Sequence, residues 1–159
     1  MAEADAADRA WEIMQKIAIC ALATRGPEGV RSRPMAATVV PDEHAVYFLT
    51  DVDGVKDDDI EANPQVSLIF SDIGHQKYVH VDGTAEVSDD RDKIRELWTP
   101  FAKAWWDSPD DPDIRVLRVT PEKAEYWDSP GKIAIYASML TAAVTGTRPK
   151  AGDNKVVAF

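Results

Sequence analysis

The sequence predicts a mainly β fold with some α: a small antiparallel β-barrel with peripheral helices. Three observations point there. Short apolar or alternating runs recur with turn residues between them, so neighbouring runs should pair antiparallel. Residues 78–87 alternate cleanly, with Val79, Val81, Gly83, Ala85 and Val87 on one face and Tyr78, His80, Asp82, Thr84 and Glu86 on the other. The run Val46-Tyr47-Phe48-Leu49 is apolar on both faces and needs cover on both sides. At 159 residues, a single domain spanning 1–159 is expected.

Each element follows from local chemistry. Residues 5–17 read as a helix, because Ala10, Ile13, Met14 and Ile17 recur at helical spacing among charged positions. Residues 18–24 form a strand that Gly26-Pro27-Glu28-Gly29 interrupts, and 31–40 form the next. Pro41 to His44 make a turn before the strand 45–50. A short helix is expected over 55–62, since Asn63 precedes Pro64 and is pushed out of the helical region. Strands follow at 65–70 and 78–87, where Gly83 marks a bulge or a close backbone approach. Ser88-Asp89-Asp90 supply caps for a segment, 91–106, that is helical in parts and restarts at Pro100. Two strands, 115–120 and 123–128, come next. A helix over 133–145 is closed by Gly146, and 153–159 form an extended tail.

Charge excludes several function classes. With 28 acidic and 18 basic residues the net charge is −10, which disfavours nucleic acid and anionic membranes as partners. The single cysteine, Cys20, permits no internal disulfide and sits in an apolar strand, where a buried inert thiol is expected. The longest apolar stretch, 133–144, is too short to span a bilayer, and the acidic first ten residues do not read as a secretory signal. A cytoplasmic protein is expected.

No familiar catalytic motif is present, and His44, His75 and His80 are too scattered to suggest a metal site. Two basic spots stand out instead. Residues 25–35 carry a net charge of +2, from Arg25, Arg31 and Arg33 against Glu28. Lys56 is the one cation in 51–61, a stretch of net charge −5. A lysine at a loop-to-helix junction, beside the hydroxyl of Thr50 and an arginine on a neighbouring strand, suits a phosphate. The alternative is that Lys56 offsets the surrounding acids. Asp57, Asp58 and Asp59 read as a solvated face at a helix start. Trp105 and Trp106 diverge by about 100° on a helix, so one packs inward while the other is offered to a ligand, to a second subunit, or as a cap on the barrel.

In order, Arg31-Ser32-Arg33-Pro34-Met35, Phe48-Leu49-Thr50, Lys56, Asn63-Pro64-Gln65-Val66-Ser67-Leu68 and Gly83-Thr84-Ala85 resemble the pyridoxamine 5'-phosphate oxidase-like family. Leu97-Trp98, Trp105-Trp106, Asp111-Pro112-Asp113 and Tyr126-Trp127-Asp128 are similar to its general stress protein branch. The resemblance spans residues 8–150. It implies an FMN-binding split barrel that forms a homodimer with the flavin at the interface; FAD is the alternative cofactor. By position, Arg31, Ser32, Arg33, Pro34 and Met35 match one strand lining the flavin, and Leu49 and Thr50 match the second. Gly54, Val55 and Lys56 match the phosphate-holding segment, and Trp106 and Trp127 the contacts from the partner subunit. The oxidase branch has arginine where this chain has Val55, which shifts phosphate binding towards Arg31 or Arg33. Its C-terminal arginine and histidine set for pyridoxal is not found, so vitamin B6 oxidation is not expected.

Three readings follow from the resemblance. The first is a flavin-dependent oxidoreductase or flavin reductase, with the redox chemistry supplied by the flavin and positioned by the protein. The second is a non-catalytic flavin store, sensor or carrier. The third is a split barrel with another cofactor, such as haem or a deazaflavin.

Overall fold

The computed structural model describes residues 2–54, 59–149 and 152–159. Helix α1 (Ala2–Ile17) opens the chain. It is followed by strands β1 (Ile19–Gly26), β2 (Gly29–Ala36), β3 (Thr38–Val40), β4 (Ala45–Asp51), β5 (Gln65–Asp72) and β6 (Lys77–Ser88). Then come α2 (Arg91–Leu97), a 3-10 turn (Pro100–Ala104), β7 (Ile114–Asp128), α3 (Lys132–Thr145) and β8 (Asp153–Ala158).

One antiparallel sheet holds the strands in the order β2-β1-β5-β6-β7-β4-β3, with β8 also on β7. The long strand β7 explains this branching. Its first half pairs with β4 and its second half with β8, while β6 runs along its other edge. The two ends of the path, β2 and β3, are separated in sequence only by Ala37. The sheet must therefore curl until its edges meet, and Ala37 N–H bonds the Ala18 carbonyl at that corner. The result is a half-barrel. Among the described residues β2 pairs with β1 alone, so chain continuity joins its edge to β3 where a hydrogen-bonded ladder would be needed for full closure.

Two clusters fill the two faces. On the concave side α1 contributes Ala6, Ala10, Trp11, Ile13 and Met14 to a core with Leu22, Phe48, Leu68, Phe70, Val79 and Val81. On the opposite face α2 covers β4 and the start of β7 through Ile94 and Leu97, against Ala45, Tyr47, Ile114 and Val116. Alternation along β4 divides it between them: Val46 and Phe48 face α1, and Ala45 and Tyr47 face α2. The apolar-on-both-faces run is thus covered twice, as its composition demands.

Several sequence expectations change in detail. The strand expected at 31–40 breaks at Ala37, where the chain turns the barrel corner. The two late strands are one, because Glu122 is accommodated as a bulge: Asp82 pairs with Lys123 and Gly83 with Pro121. Gly83 also makes a close approach, since a Cβ there would lie 2.6 Å from the Thr120 carbonyl oxygen. The extended tail is a paired strand, so the sheet has eight strands where about seven were expected. In the connection after β4, residues 52–54 are helical and 59–62 form a turn, so the helix expected over 55–62 does not occupy its described part. Both cap expectations hold: the Asp90 side chain accepts from the Lys93 N–H, and Gly146 closes α3 at φ 72°.

Candidate functional site

The first candidate strand, β2, is an edge strand whose side chains alternate between faces. Arg31, Arg33 and Met35 lie opposite Thr24, Leu22 and Cys20 of β1. Those three β1 side chains are buried on the concave side. Directly opposed residues share a face, so Arg31, Arg33 and Met35 project to that side too. Ser32 and Pro34, opposite Ala23 and Ala21, point the other way.

On β4 the same rule places Thr50 on the concave side, in line with Val46 and Phe48. Leu49 packs on the opposite face beside α2. Antiparallel pairing brings Thr24, Arg31 and Thr50 to one end of the half-barrel. The helical residues 52–54 start there directly, and a Cβ at Gly54 would lie 3.3 Å from Thr50 Oγ1. The following connection also packs at this end, because Ile60 is buried in the concave core. Val55 and Lys56 lie outside the described residues.

Arg33 is anchored. Its two terminal nitrogens donate to Thr24 Oγ1, each at 3.1 Å. Thr24 is one of the few buried polar side chains. The inner edge of the fork is thus taken by Thr24, and a planar or anionic group would meet the guanidinium's remaining N–H groups or its flat face. Two residues of this end were not singled out from sequence. Thr24 is one. The other is Arg115, directly across the β4–β7 ladder from Thr50 and therefore on its face. Arg115 donates to the Pro112 and Ile114 carbonyls at 2.7 and 2.9 Å. Neither carries a motif signal; register alone brings them in.

The tryptophans lie just past the 3-10 turn and not on a helix, yet they still separate. Trp106 packs on the α2-side cluster, whereas Trp105 is 81% exposed. Trp127 is half-exposed on the face away from α1, between Tyr78 and Asn154 in register. The predicted site residues therefore fall into groups: Arg31, Thr50 and Gly54 lie at one end of the half-barrel and Arg33 reaches it through Thr24, Met35 shares their face but sits towards the other end opposite Cys20, and Ser32, Pro34, Leu49, Trp106 and Trp127 lie on other faces.

The titratable groups do other work. Burial pushes the Cys20 thiol up to about 12, so it stays protonated. Asp128 is held below the usual carboxylate range by the Arg9 guanidinium, with Lys77 adding to it. Glu43 is lowered by the Tyr47 hydroxyl and Lys93, and Asp89 by Arg91. His44 meets Trp11 and Phe159 edge-on in a three-ring cluster, His75 bonds Asp72, and His80 bonds Asp82, which Ser67 also donates to. The structure does not bring the three histidines together.

Comparison with known proteins supplies the decisive observation: a model of the pyridoxamine 5'-phosphate oxidase-like family matches residues 5–150. The chain belongs to this family. Among curated proteins it is similar to general stress protein 26 of Bacillus subtilis, with 26% identity over 77% of this chain and 88% of that protein. The segment matching protein bli-3 of Neurospora crassa spans 43% of that protein's length. A solved structure assigned to general stress protein 26 of Jannaschia sp. CCS1 superposes with a TM-score of 0.79 at 29% identity, covering 99% of both chains. The general stress FMN/FAD binding protein of Xanthomonas citri shares the fold, with a TM-score of 0.66 and 24% identity over 76% of this chain and 86% of that one. Within the family, then, the half-barrel is the split barrel expected from the sequence.

Among the described residues no helix is long and apolar enough to cross a membrane.

Proposed function

We propose that the protein binds a flavin mononucleotide, or FAD in its place, at the split between β2 and β4 of a homodimer. The observation that carries the reading is the convergence of Arg33, Thr50 and Gly54 at one end of the concave face. The donor set fits the cofactor. Arg31, Arg33 and Lys56 supply cations for its phosphate, Thr50 a hydroxyl, and Gly54 the close backbone approach that a side chain would obstruct. Met35, on the same side as these donors, would line the ring, and Val55 would lie beside the phosphate, whereas Ser32, Pro34 and Leu49 face away and would reach a ring only from another side of the sheet. Trp106 and Trp127 are offered to the second subunit, and the exposed Trp105 joins them. The name of the Xanthomonas citri neighbour supports the cofactor class.

When bound, the flavin supplies hydride or electron transfer. The protein's part is to hold the phosphate, fix the ring against β2 and limit access by water. We assign it as a flavin-dependent oxidoreductase or flavin reductase of the general stress type.

A second reading, a flavin carrier or sensor without turnover, draws on one observation. The side chains that register brings to this end of the concave face, Thr24, Arg31, Arg33, Thr50 and Arg115, are hydroxyls and cations, and none is a general base. Rapid reduction of the bound flavin by NADH or NADPH in stopped flow excludes this second reading.

The test of the site is reconstitution with excess FMN followed by desalting. Retained flavin absorbance is expected, and mass spectrometry of the released ligand identifies it. Loss of all flavin on desalting overturns the proposal. Arg33→Ala and Lys56→Ala should each weaken FMN by roughly 10- to 100-fold, the effect of one charge-assisted hydrogen bond. Unchanged affinity removes that residue from the phosphate site.

A further inference from the structure

Arg115 carries a charge that the fold does not use up. It sits directly across the β4–β7 ladder from Thr50, so both side chains project to the concave side. Leu117 and Val119, its alternate neighbours on β7, lie in the concave core, which fixes the face. One terminal nitrogen, Nη1, donates to the Pro112 carbonyl at 2.7 Å and to the Ile114 carbonyl at 2.9 Å. Among the described residues Nε and Nη2 donate to nothing, so their N–H groups remain for a ligand. The side chain is 24% exposed: it is held in place, and solvent still reaches it.

The nearest carboxylate does not neutralise it. Asp89 Oδ1 lies 3.6 Å from Nη1, beyond hydrogen-bond reach. Arg91 already holds that same oxygen, through Nε at 2.7 Å and through a second nitrogen. Two arginines thus face one carboxylate, and a unit of positive charge is left over. No other carboxylate comes within 4.0 Å of Arg115 among the described residues. In a chain of net charge −10, a surface cation with no other task would be expected to find an acid of its own. A fixed guanidinium with unspent donors, beside the Thr50 hydroxyl, is suited instead to an anion with several acceptor oxygens.

We propose that Arg115 is a further phosphate-binding residue of the flavin site, supplied by β7 and acting beside Thr50. The proposal rests on the flavin reading above and adds one residue to its phosphate end. The group it takes is the phosphate ester of the cofactor and not the flavin ring. Because two carbonyl bonds already hold the guanidinium, little side-chain freedom is lost when the anion arrives.

Comparison of FMN with riboflavin, the same flavin without its phosphate, tests this. Wild type is expected to bind FMN more tightly than riboflavin, as read by flavin fluorescence. Arg115→Gln should weaken FMN on the order of 10-fold and leave riboflavin unchanged, because one charge-assisted contact to phosphate is removed. Arg115→Lys keeps the charge and should recover part of the loss. A Gln variant that binds FMN as wild type does, or that loses FMN and riboflavin equally, overturns the role of Arg115 and leaves the flavin site standing. A wild type that binds neither flavin overturns both. The unmodified protein covers the case of a misfolded variant. Phenylglyoxal labelling of Arg115, followed by peptide mass spectrometry, should be slowed by FMN and not by riboflavin. Equal labelling in the two complexes overturns the proposal. Protection by inorganic phosphate alone, at the concentration used for FMN, also overturns it, in favour of a free-anion site.

Discussion

Helices α1 and α3 are of similar length and treat their apolar residues in opposite ways. The 16 residues of α1 carry charges on one side and bury Ala6, Ala10, Trp11, Ile13 and Met14 against the concave sheet. The 14 residues of α3 are more apolar, yet bury only Ala142. Apolar content alone therefore does not decide where a helix docks. What matters is whether a complementary face exists in the same chain. The half-barrel has one open concave face, and α1 fills it. Ion pairs also fix α1 in place: Arg9 donates to Asp128 Oδ2 at 2.6 Å, and Lys77 bonds the other oxygen of the same carboxylate. What the protomer leaves to α3 is a small cleft beside Gln76, and most of the helix's large apolar side chains stay exposed.

The largest effect that would sharpen this contrast is at Met14, which is fully buried. Met14→Ala should cost about 2–4 kcal/mol in urea denaturation, the usual loss for a buried large-to-alanine change. A smaller effect is expected at the ion pair. Asp128→Asn should cost about 1–2 kcal/mol, discounted for partial exposure. The same group sets a pH dependence. Its folded value lies below the unfolded value of about 3.9, so its contribution is complete above the unfolded value. That contribution is lost as pH falls through the folded value. The Asn variant should then show a flatter acid limb below about pH 4 in stability measured against pH. At the other extreme, Leu140→Ala should change the stability of the protomer by less than about 0.5 kcal/mol when measured at nanomolar concentration. If Leu140 cost as much as Met14 under those conditions, the contrast between the helices would collapse. The smallest signal concerns Cys20 in the same core as α1. A disulfide reagent should label it only as the protein unfolds, because the thiol is buried and protonated. Labelling at the rate of a free thiol in the native protein would show the concave core to be open.

Much of the fold was legible in sequence because it depends on neighbours. The alternation of residues 78–87 reports β6 with its buried Val79, Val81, Gly83 and Ala85. Helical spacing reports α1, and Gly146 reports the end of α3. The misreadings share one cause, pairing with distant strands. Pro121-Glu122 looked like a break between two strands, but β6 carries the ladder past it by a bulge. The tail 153–159 had too weak a local signal to be more than extended, and β7 makes it a strand. For the candidate site, motif order singled out Arg33, Thr50 and Gly54 without saying that they share a side. Thr24 and Arg115 had no signal at all, since each enters through its cross-strand partner.

By itself, then, the sequence determined which residues are apolar and at what period, where helices are capped, and the motif order that marks the family. These are properties of short stretches, set by backbone sterics and local hydrogen bonding. Only the tertiary structure decided which face each strand turns to the core, that Arg33 rests on the buried Thr24 hydroxyl, and that α1 is enclosed while α3 is not. Those outcomes depend on register and on which surface remains open after the sheet has curled, and a shift of one residue would reverse every face.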